Sequence, residues 1–497
     1  MSSARTLLVD GVLRALKWNT IGIVTRALMQ LVVMVTIARW VGPEAFGQFG
    51  LCMLVFGVGI LLADFGLGVA LVQCVDLDHS LQRRALGRLL LSHALCAGAI
   101  ALAAPWLSQR LGFASDASLI QLTALAVLVT AVHPLATALR RRALDFGTLQ
   151  RAQLVAYTVG YGVVGLSLAA LQYGALSLVL ALVVHQSVMA LWVCHDSGQP
   201  WRPSSPVGLA GLQRFGLQAT LSNLANWVTE YLPGVWLASS YGASGLGLYN
   251  AAHNLARTPA NHIVTALQQL VVSASSRAQH DIEALQRGYL ALLRCVTMIV
   301  GPLFLSAAVV ASTVVIALYG SAWSDAASVF TPLAIAMPLH AVMAVSGSML
   351  WGRGRADLEW SAQGVVAVVT TLVLLLAARL SLPQFAWALC ALYALRASVV
   401  TTALARELRL STRVLWHTLR VPMACSALVA SVTWLLDSWL RTWGAPATSN
   451  LVVIVLFGAG LVALTLRLAG ARLLGCEMSP VLQRLPLRYR RWLGVGR

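Results

Sequence analysis

Charge is missing from most of this chain in a regular rhythm. Fourteen stretches, each apolar over the ~20 residues a helix needs to cross a hydrocarbon core, alternate with short segments that hold most of the charged residues. They run over 18–38, 46–72, 86–107, 118–139, 152–172, 174–195, 213–239, 246–274, 289–318, 326–351, 359–379, 384–405, 418–438 and 448–469. The spacing predicts an all-α polytopic membrane protein of 14 transmembrane helices. Of these stretches, 46–72 and 289–318 are long for one straight crossing and are expected to tilt or break. Composition agrees: 59% of the residues are hydrophobic and 10% charged, against roughly 45–50% and 25% in soluble domains. So little polar surface cannot cover a water-facing globule, and it excludes a disordered chain or a secreted disulfide scaffold.

The basic residues fix the expected orientation. With the N-terminus inside, the cytoplasmic segments and adjoining span ends collect 28 of the 35 Lys and Arg residues. Four fall outside (Arg39, Arg110, Arg379, Arg441) and three within spans (Arg26, Arg257, Arg396). A miscounted helix would exchange the faces from that point on and destroy the bias, so both termini are expected on the cytoplasmic side of the membrane. This distribution also explains the net charge of +18 without nucleic acid. Trp18, Trp40, Trp106, Trp323, Trp351, Trp416 and Trp439 fall at span ends, where an aromatic belt is expected. Arg5, Arg14 and Lys17 precede the first span with no cleavage-type small-residue site before Trp40, so that span is expected to be retained.

Several chemistries are excluded. Lys17 is the single lysine, so no Walker-type ATP site or Schiff-base lysine exists elsewhere. No loop exceeds about 20 residues, which leaves no room for a soluble catalytic domain. The eight cysteines never approach C-x-x-C spacing and read as reduced packing residues. The histidines within or beside spans (His93, His133, His185, His253, His262, His340) share no ligand spacing; His253 and His262 flank the polar stripe described below and are candidates to line its cavity, and the others read as interhelical hydrogen-bonding groups. Asp76-Leu-Asp78 reads as a solvated turn, and Asp64 as a helix or loop anchor rather than a proton site. No catalytic residue, metal or cofactor is expected. Pro259, Pro302, Pro332 and Pro338 are candidate hinges, and Gly160, Gly162 and Gly165 candidate close helix contacts.

The chain repeats itself at an offset of 200 residues: Gly42, Phe46, Gly47 and Phe49 recur as Gly242, Leu246, Gly247 and Tyr249. Gln30 then falls opposite Glu230, and Arg26 opposite Asn226. Six spans, an even number, separate the copies, so the two repeats insert in the same direction. Two parallel six-helix lobes, 18–195 and 213–405, are expected to flank a site near the bilayer midplane. Residues 1–17 are an N-terminal segment, 196–212 a cytoplasmic linker, 406–470 two additional helices and 471–497 a basic tail.

Polar residues within the spans are not scattered. Asn250, Asn254, Arg257, Asn261, Thr265 and Gln268 follow one face of the eighth span, Asn223, Asn226 and Glu230 one face of the seventh, and Arg26 and Gln30 are four apart in the first. An intramembrane charge is costly and faces a partner or a wet cavity. Arg26, Gln30, Asn226, Glu230, Asn254, Arg257 and Asn261 are therefore the candidate cavity residues, with Asn250, Gln268 and Arg396 as weaker ones. Guanidinium groups suit a diphosphate, and amides with the faces of Tyr157, Tyr161, Trp227 and Tyr249 would suit sugars. An Arg257–Glu230 ion pair that merely holds the fold is the alternative.

Gly42-Pro-Glu-Ala-Phe-Gly47 followed by Asp64-Phe-Gly-Leu-Gly-Val-Ala-Leu-Val-Gln73 resembles the opening of the polysaccharide transporter family, the Wzx-type flippases of the MATE-like MOP superfamily. Leu139-Arg-Arg-Arg-Ala-Leu-Asp-Phe146 resembles that family's basic loop, Trp201-Arg-Pro203 and Arg214-Phe-Gly216 its interlobe link, and Gly247-Leu-Tyr-Asn250 through Pro259 its eighth span. The resemblance covers about 17–405. It implies translocation of undecaprenyl-diphosphate-linked oligosaccharide by alternating access, for O-antigen, capsule or exopolysaccharide assembly. The implied partners are the lipid-linked oligosaccharide, the bilayer, and a polymerase with its export machinery. Lipid II or drugs are alternative cargoes. A membrane polymerase or ligase is an alternative of another class, though its usual long periplasmic loop is absent.

Overall fold

Two glycines 200 residues apart bend the two longest helices of the protein. The computed structural model describes residues 2–74, 76–110, 117–206, 210–277, 281–376 and 380–474. Side chains are described except those of 2–28, 210–230, 266, 269–270, 272–274, 276–277, 356, 360, 465–466 and 468–474. All regular structure among these residues is helical. In chain order it comprises α1 (Ser2–Asp64), α2 (Leu67–Gln73), α3 (His79–Arg110), α4 (Ser118–Thr130), α5 (His133–Arg142), α6 (Phe146–Tyr157), a π-helical segment (Thr158–Gly165), α7 (Leu166–Ala170), α8 (Ala175–Cys194) and α9 (Ala210–Arg277). There follow α10 (Ile282–Val309), α11 (Ala311–Tyr319), a 3₁₀ turn (Ser321–Trp323), α12 (Ala326–Gly352), α13 (Ala356–Leu376), α14 (Leu382–Glu407), α15 (Thr412–Thr442) and α16 (Ala447–Leu474). Among the described residues, ten helices are long and apolar enough to cross a membrane, or eleven if α4 and α5, bent by 42°, form one span.

The breaks fall where backbone chemistry puts them. α1 is interrupted at Gly42 (φ 77°, ψ 175°) and α9 at Gly242 (φ 68°, ψ −168°). Both occupy a region open to glycine almost alone, so the sequence repeat is also a repeat of backbone conformation. The stretch 46–72 breaks at Phe65 and Gly66, both at positive φ, and Asp64 caps the next turn by accepting from the Gly68 N–H at 3.2 Å. The stretch 289–318 breaks at Val310, not at Pro302, and none of the four candidate hinge prolines interrupts its helix. The π-helical segment coincides with the Gly160–Gly165 cluster. Gly160 and Gly165 lie close against α8, whereas Gly162 meets only its own helix.

The chain divides into two compact units, Met1–Asn250 and Ala251–Arg497. In the first, the two kinks meet. A Cβ on Gly47 would overlap the Ala243 carbonyl and lie 2.9 Å from the Gly247 nitrogen; a Cβ on Gly247 would overlap the Pro43 carbonyl and lie 3.0 Å from the Gly47 nitrogen. The contacts are reciprocal under the 200-residue offset, which is the signature of a local two-fold axis. Gly50 faces its own counterpart, Asn250, whose amide would overlap a Cβ there. Elsewhere in this unit, Arg140 ties the end of α5 to α8 through the Val193 carbonyl at 2.9 Å and to Asp145 at 2.8 Å. The linker docks on α3, where the Arg83 Nε donates to the Arg202 carbonyl at 3.0 Å.

The second unit is built around α12. Tyr289 of α10 and Ser346 of α12 share a hydrogen bond of 2.8 Å in its core. At one end, Glu407 of α14 accepts from Arg353 and Arg355, each at 2.9 Å. Trp323 departs from its expected place in an aromatic belt: it is fully buried, tilted against Tyr319 at 5.3 Å, because the 3₁₀ turn folds it inward. Trp40, Trp106, Trp351, Trp416 and Trp439 are exposed.

The crossing makes a direct prediction. Gly47→Ala should lower stability by about 1–3 kcal/mol or more, because backbone rather than a side-chain tip must move. Gly98→Ala in α3, with open space around it, should be neutral or stabilising by up to ~1 kcal/mol. Thermal unfolding in detergent of the two variants checks this, and equal melting temperatures would refute the packing role of Gly47.

Candidate functional site

Half of α9's polar stripe reappears in the second unit as part of a larger cluster. Asn261 of α9 bonds His340 of α12, Oδ1 to Nε2, at 3.2 Å. His340 is 8% exposed and meets the ring of Tyr393 of α14 edge-on at 5.9 Å. On α9, Arg257 lies one turn before Asn261 and His253 one turn before Arg257, so the three follow one side of the helix. One turn of α14 beyond Tyr393, Arg396 donates to the Gln363 side-chain oxygen of α13 at 2.6 Å. Gln363 in turn donates to Glu359 at 3.5 Å. Gln268 of α9 reaches the Ala344 carbonyl at 3.5 Å.

Helix periodicity explains why these groups meet. Glu359 and Gln363 are one turn apart and share a face of α13, while Arg257 and Asn261 do the same on α9. His340 and Arg396 lie near the middles of α12 and α14, both long and apolar enough to cross a membrane. The cluster brings two guanidinium groups, two imidazoles, amides and a carboxylate into one neighbourhood. Such a set can hold an anion and orient hydroxyl groups around it.

The expected residues fare differently. Arg257, Asn261, Gln268 and Arg396 belong to the second unit's cluster. Asn254 is exposed. Asn250 instead belongs to the first unit, where it sits against Gly50 at the crossing. Gln30 is half-buried in α1. Arg26, Asn226 and Glu230 lie on α1 and α9, and their side chains fall outside the described residues, as does that of Trp227. The faces of Tyr157, Tyr161 and Tyr249 are not open to a sugar. All three are buried, with Tyr157 and Tyr161 stacked on each other at 4.9 Å and Tyr161 edge-on to Phe49 at 6.4 Å. The π-helical turn places the two tyrosine rings side by side, so each covers the other.

Sequence reading passed over Glu359, Gln363 and Tyr393. The first two carried a signal, a polar pair one turn apart inside an apolar stretch. Tyr393 carried none, since a single tyrosine one turn from an arginine is ordinary. The seven described cysteines are free, and the described residues hold no group of three metal-ligating side chains.

Comparison with known proteins places this architecture. The family described as "polysaccharide biosynthesis protein" matches residues 36–328. The lipopolysaccharide biosynthesis protein WzxC of Escherichia coli K12 is 25% identical over 69% of this chain and 70% of its own length. The succinoglycan biosynthesis transport protein ExoT of Rhizobium meliloti is 25% identical over 72% and 73%. The teichuronic acid biosynthesis protein TuaB of Bacillus subtilis is 21% identical over 69% and 71%. Among solved structures, the lipid II flippase MurJ in an inward closed conformation superposes with a TM-score of 0.71 at 10% identity, covering 90% of this chain and 97% of that one. An inward-facing multidrug MATE transporter of the MOP superfamily gives 0.56 at 17% identity, over 78% and 98%. These two likenesses establish the fold.

Gln363→Leu should strip Arg396 of a charge-assisted hydrogen bond and lower stability by about 1.5–3 kcal/mol. Thr371→Val, on the same helix and bonded only to its own turn at Ala367, should stay within about 0.5 kcal/mol of wild type. Thermal unfolding of both in one detergent distinguishes a structural network from an incidental contact.

Proposed function

Because this chain belongs to the polysaccharide biosynthesis protein family, matched over more than half its length, we propose that it flips undecaprenyl-diphosphate-linked oligosaccharide across the bacterial inner membrane by alternating access. The observation that carries the reading is the Asn261–His340–Tyr393 contact set, with Arg257 one turn before Asn261 on α9 and Arg396 one turn beyond Tyr393 on α14. A lipid diphosphate carries about two negative charges, and guanidinium forks bind such oxygens two at a time. Amides beside them provide donors and acceptors for sugar hydroxyls. Relatives named for lipopolysaccharide, teichuronic acid and succinoglycan biosynthesis support this class of cargo.

In this reading the chain crosses the membrane 14 times. The kinks at Gly42 and Gly242 each separate two spans, both termini are cytoplasmic, and the lobes 18–195 and 213–405 bound the pathway. Arg26, Gln30, Asn226, Glu230 and Asn254 line it with Arg257 and Asn261. The protein acts as a transporter rather than an enzyme. An inside-negative potential assists the outward movement of an anionic head, at about 2.3 kcal/mol per charge per 100 mV. A polymerase and export machinery consume the product on the far side.

Orientation is checked by cysteines introduced into a background without native ones. Ser244→Cys should react with an impermeant thiol reagent from the periplasm, and Ser205→Cys and Gly354→Cys only from the cytoplasm. Reversed labelling at any of them overturns the topology from that point on.

Cargo binding is checked at Arg257. Arg257→Gln should leave membrane abundance unchanged and abolish surface polysaccharide, and Arg257→Lys should restore it only in part, because an ammonium lacks the planar fork. If Arg257 instead neutralises Glu230, the single change should destabilise the protein by ~3–5 kcal/mol. Combined with Glu230→Gln, it should then recover both abundance and export. That recovery would remove Arg257 from the substrate site.

A further inference from the structure

A second polar site lies in the Ala251–Arg497 unit, apart from the cluster around His340. A cavity of about 340 Å³ opens where α15 ends against the α10–α11 break and the start of α12, lined by Ser312, Ser328, Thr331, Trp434, Asp437 and Arg441 among others. Its volume is at the lower end of the range for small-ligand pockets, ~300–1,000 Å³. Asp437 is 2% exposed, and a buried carboxylate needs strong partners. It has two. The Thr313 hydroxyl donates to one oxygen at 2.6 Å, and Arg441 Nη2 contacts the other at 2.8 Å. The same Nη2 also donates to the Thr313 hydroxyl oxygen at 2.9 Å. The buried carboxylate and threonine therefore fix the arginine by one nitrogen. Among the described residues Nε and Nη1 have no protein acceptor, and the side chain is 47% exposed. A guanidinium clamped on one edge and open on the other is a preformed receptor for an oxyanion.

Charge and position narrow the ligand. Asp437 cancels the charge of Arg441, so the site as a whole is neutral and offers a wholly anionic group little net attraction. Hydroxyls of Ser312, Ser328 and Thr331 supply acceptors for a cationic partner beside the oxyanion. The cavity lies within the last two turns of α15, among the exposed indoles Trp434, Trp439 and Trp443, and indoles at helix ends mark headgroup depth. We propose that this cavity binds the headgroup of a zwitterionic phospholipid, phosphatidylethanolamine, with its phosphate on Arg441 and its ammonium among the hydroxyls. The bilayer supplies that ligand at high local concentration. The inference is independent of the cargo proposed above.

The test uses the full-length protein in nanodiscs of equimolar phosphatidylethanolamine and phosphatidylglycerol, with retained lipid counted by native mass spectrometry. Wild type should retain phosphatidylethanolamine in preference to phosphatidylglycerol. Arg441→Gln should weaken that retention about tenfold, the equivalent of one charge-assisted hydrogen bond, and Arg441→Lys should fall between. Ser438→Phe, which fills the cavity and leaves the Asp437–Arg441 pair in place, guards against a folding defect. It should lose the lipid while keeping the wild-type melting temperature. Equal retention of the two lipids, preference for phosphatidylglycerol, or undiminished retention in Ser438→Phe would each overturn the proposal.

Discussion

The joint between the two longest helices rests on a contact that tolerates no side chain. Where α1 and α9 cross, backbone touches backbone at Gly47 and Gly247, each against the residue equivalent to the other's neighbour. Lipid tails are as apolar as leucine, so inside a membrane the hydrophobic effect does little to press helices together. Close van der Waals packing takes its place, and small residues permit it. The pair of glycines five residues upstream turns the chain before the crossing, and the crossing pair lets the turned segments meet. A repeated turn thereby becomes a self-complementary joint, in which Gly42 and Gly47 do in one copy what Gly242 and Gly247 do in the other.

That joint also explains where the chain divides. The boundary at Asn250 falls within α9, after the crossing, and not in the linker at 196–212. Residues 233–250 pack with α1 at the crossing, so they belong with the first unit although the duplication assigns them to the second repeat. Beyond Asn250 the same helix continues unbroken to Arg277 and carries Arg257 and Asn261. The polar stripe read as one surface thus serves two purposes. Asn250 fills the space opposite Gly50, and Asn261 bonds His340.

How much was legible in the sequence follows from the same physics. Hydropathy gave the all-helical class, because backbone in lipid must satisfy its own hydrogen bonds and leaves only the helix as an open-chain solution. Ten or eleven helices among the described residues are long and apolar enough to span, against the fourteen expected. The Gly-Gly-aromatic repeat located both kinks, since glycine alone fits their dihedrals. The 42° bend between α4 and α5 carried a local mark that was passed over: Pro134 stands in the first turn of α5, where it lacks the N–H that would continue the ladder from α4. Trp323 and the stacked tyrosines were misread for a different reason. An aromatic at a helix end or near a polar face has no sequence mark that says whether its ring is covered, and tertiary packing decides. The Glu359–Gln363–Arg396 relay escaped because each helix contributes too few polar residues to form a stripe. Only the pairing of α13 with α14 assembles them.

The relay bears on how charge is managed in the bilayer. Arg396 meets an amide first, and the carboxylate of Glu359 stands behind it. A direct ion pair would cancel the guanidinium charge at contact distance and leave little field for anything else. An intervening amide satisfies the hydrogen-bonding edge of the arginine while holding the opposite charge one side chain further away, where attraction falls with distance. The arginine is then positioned without being neutralised at contact. Asp437 and Arg441 show the other solution in the same unit, a carboxylate in direct contact at 2.8 Å with a local sum of zero. One chain thus holds a relayed arginine at mid-helix and a neutralised one near a helix end, and the difference in their partners is the physical ground for proposing different ligands for them.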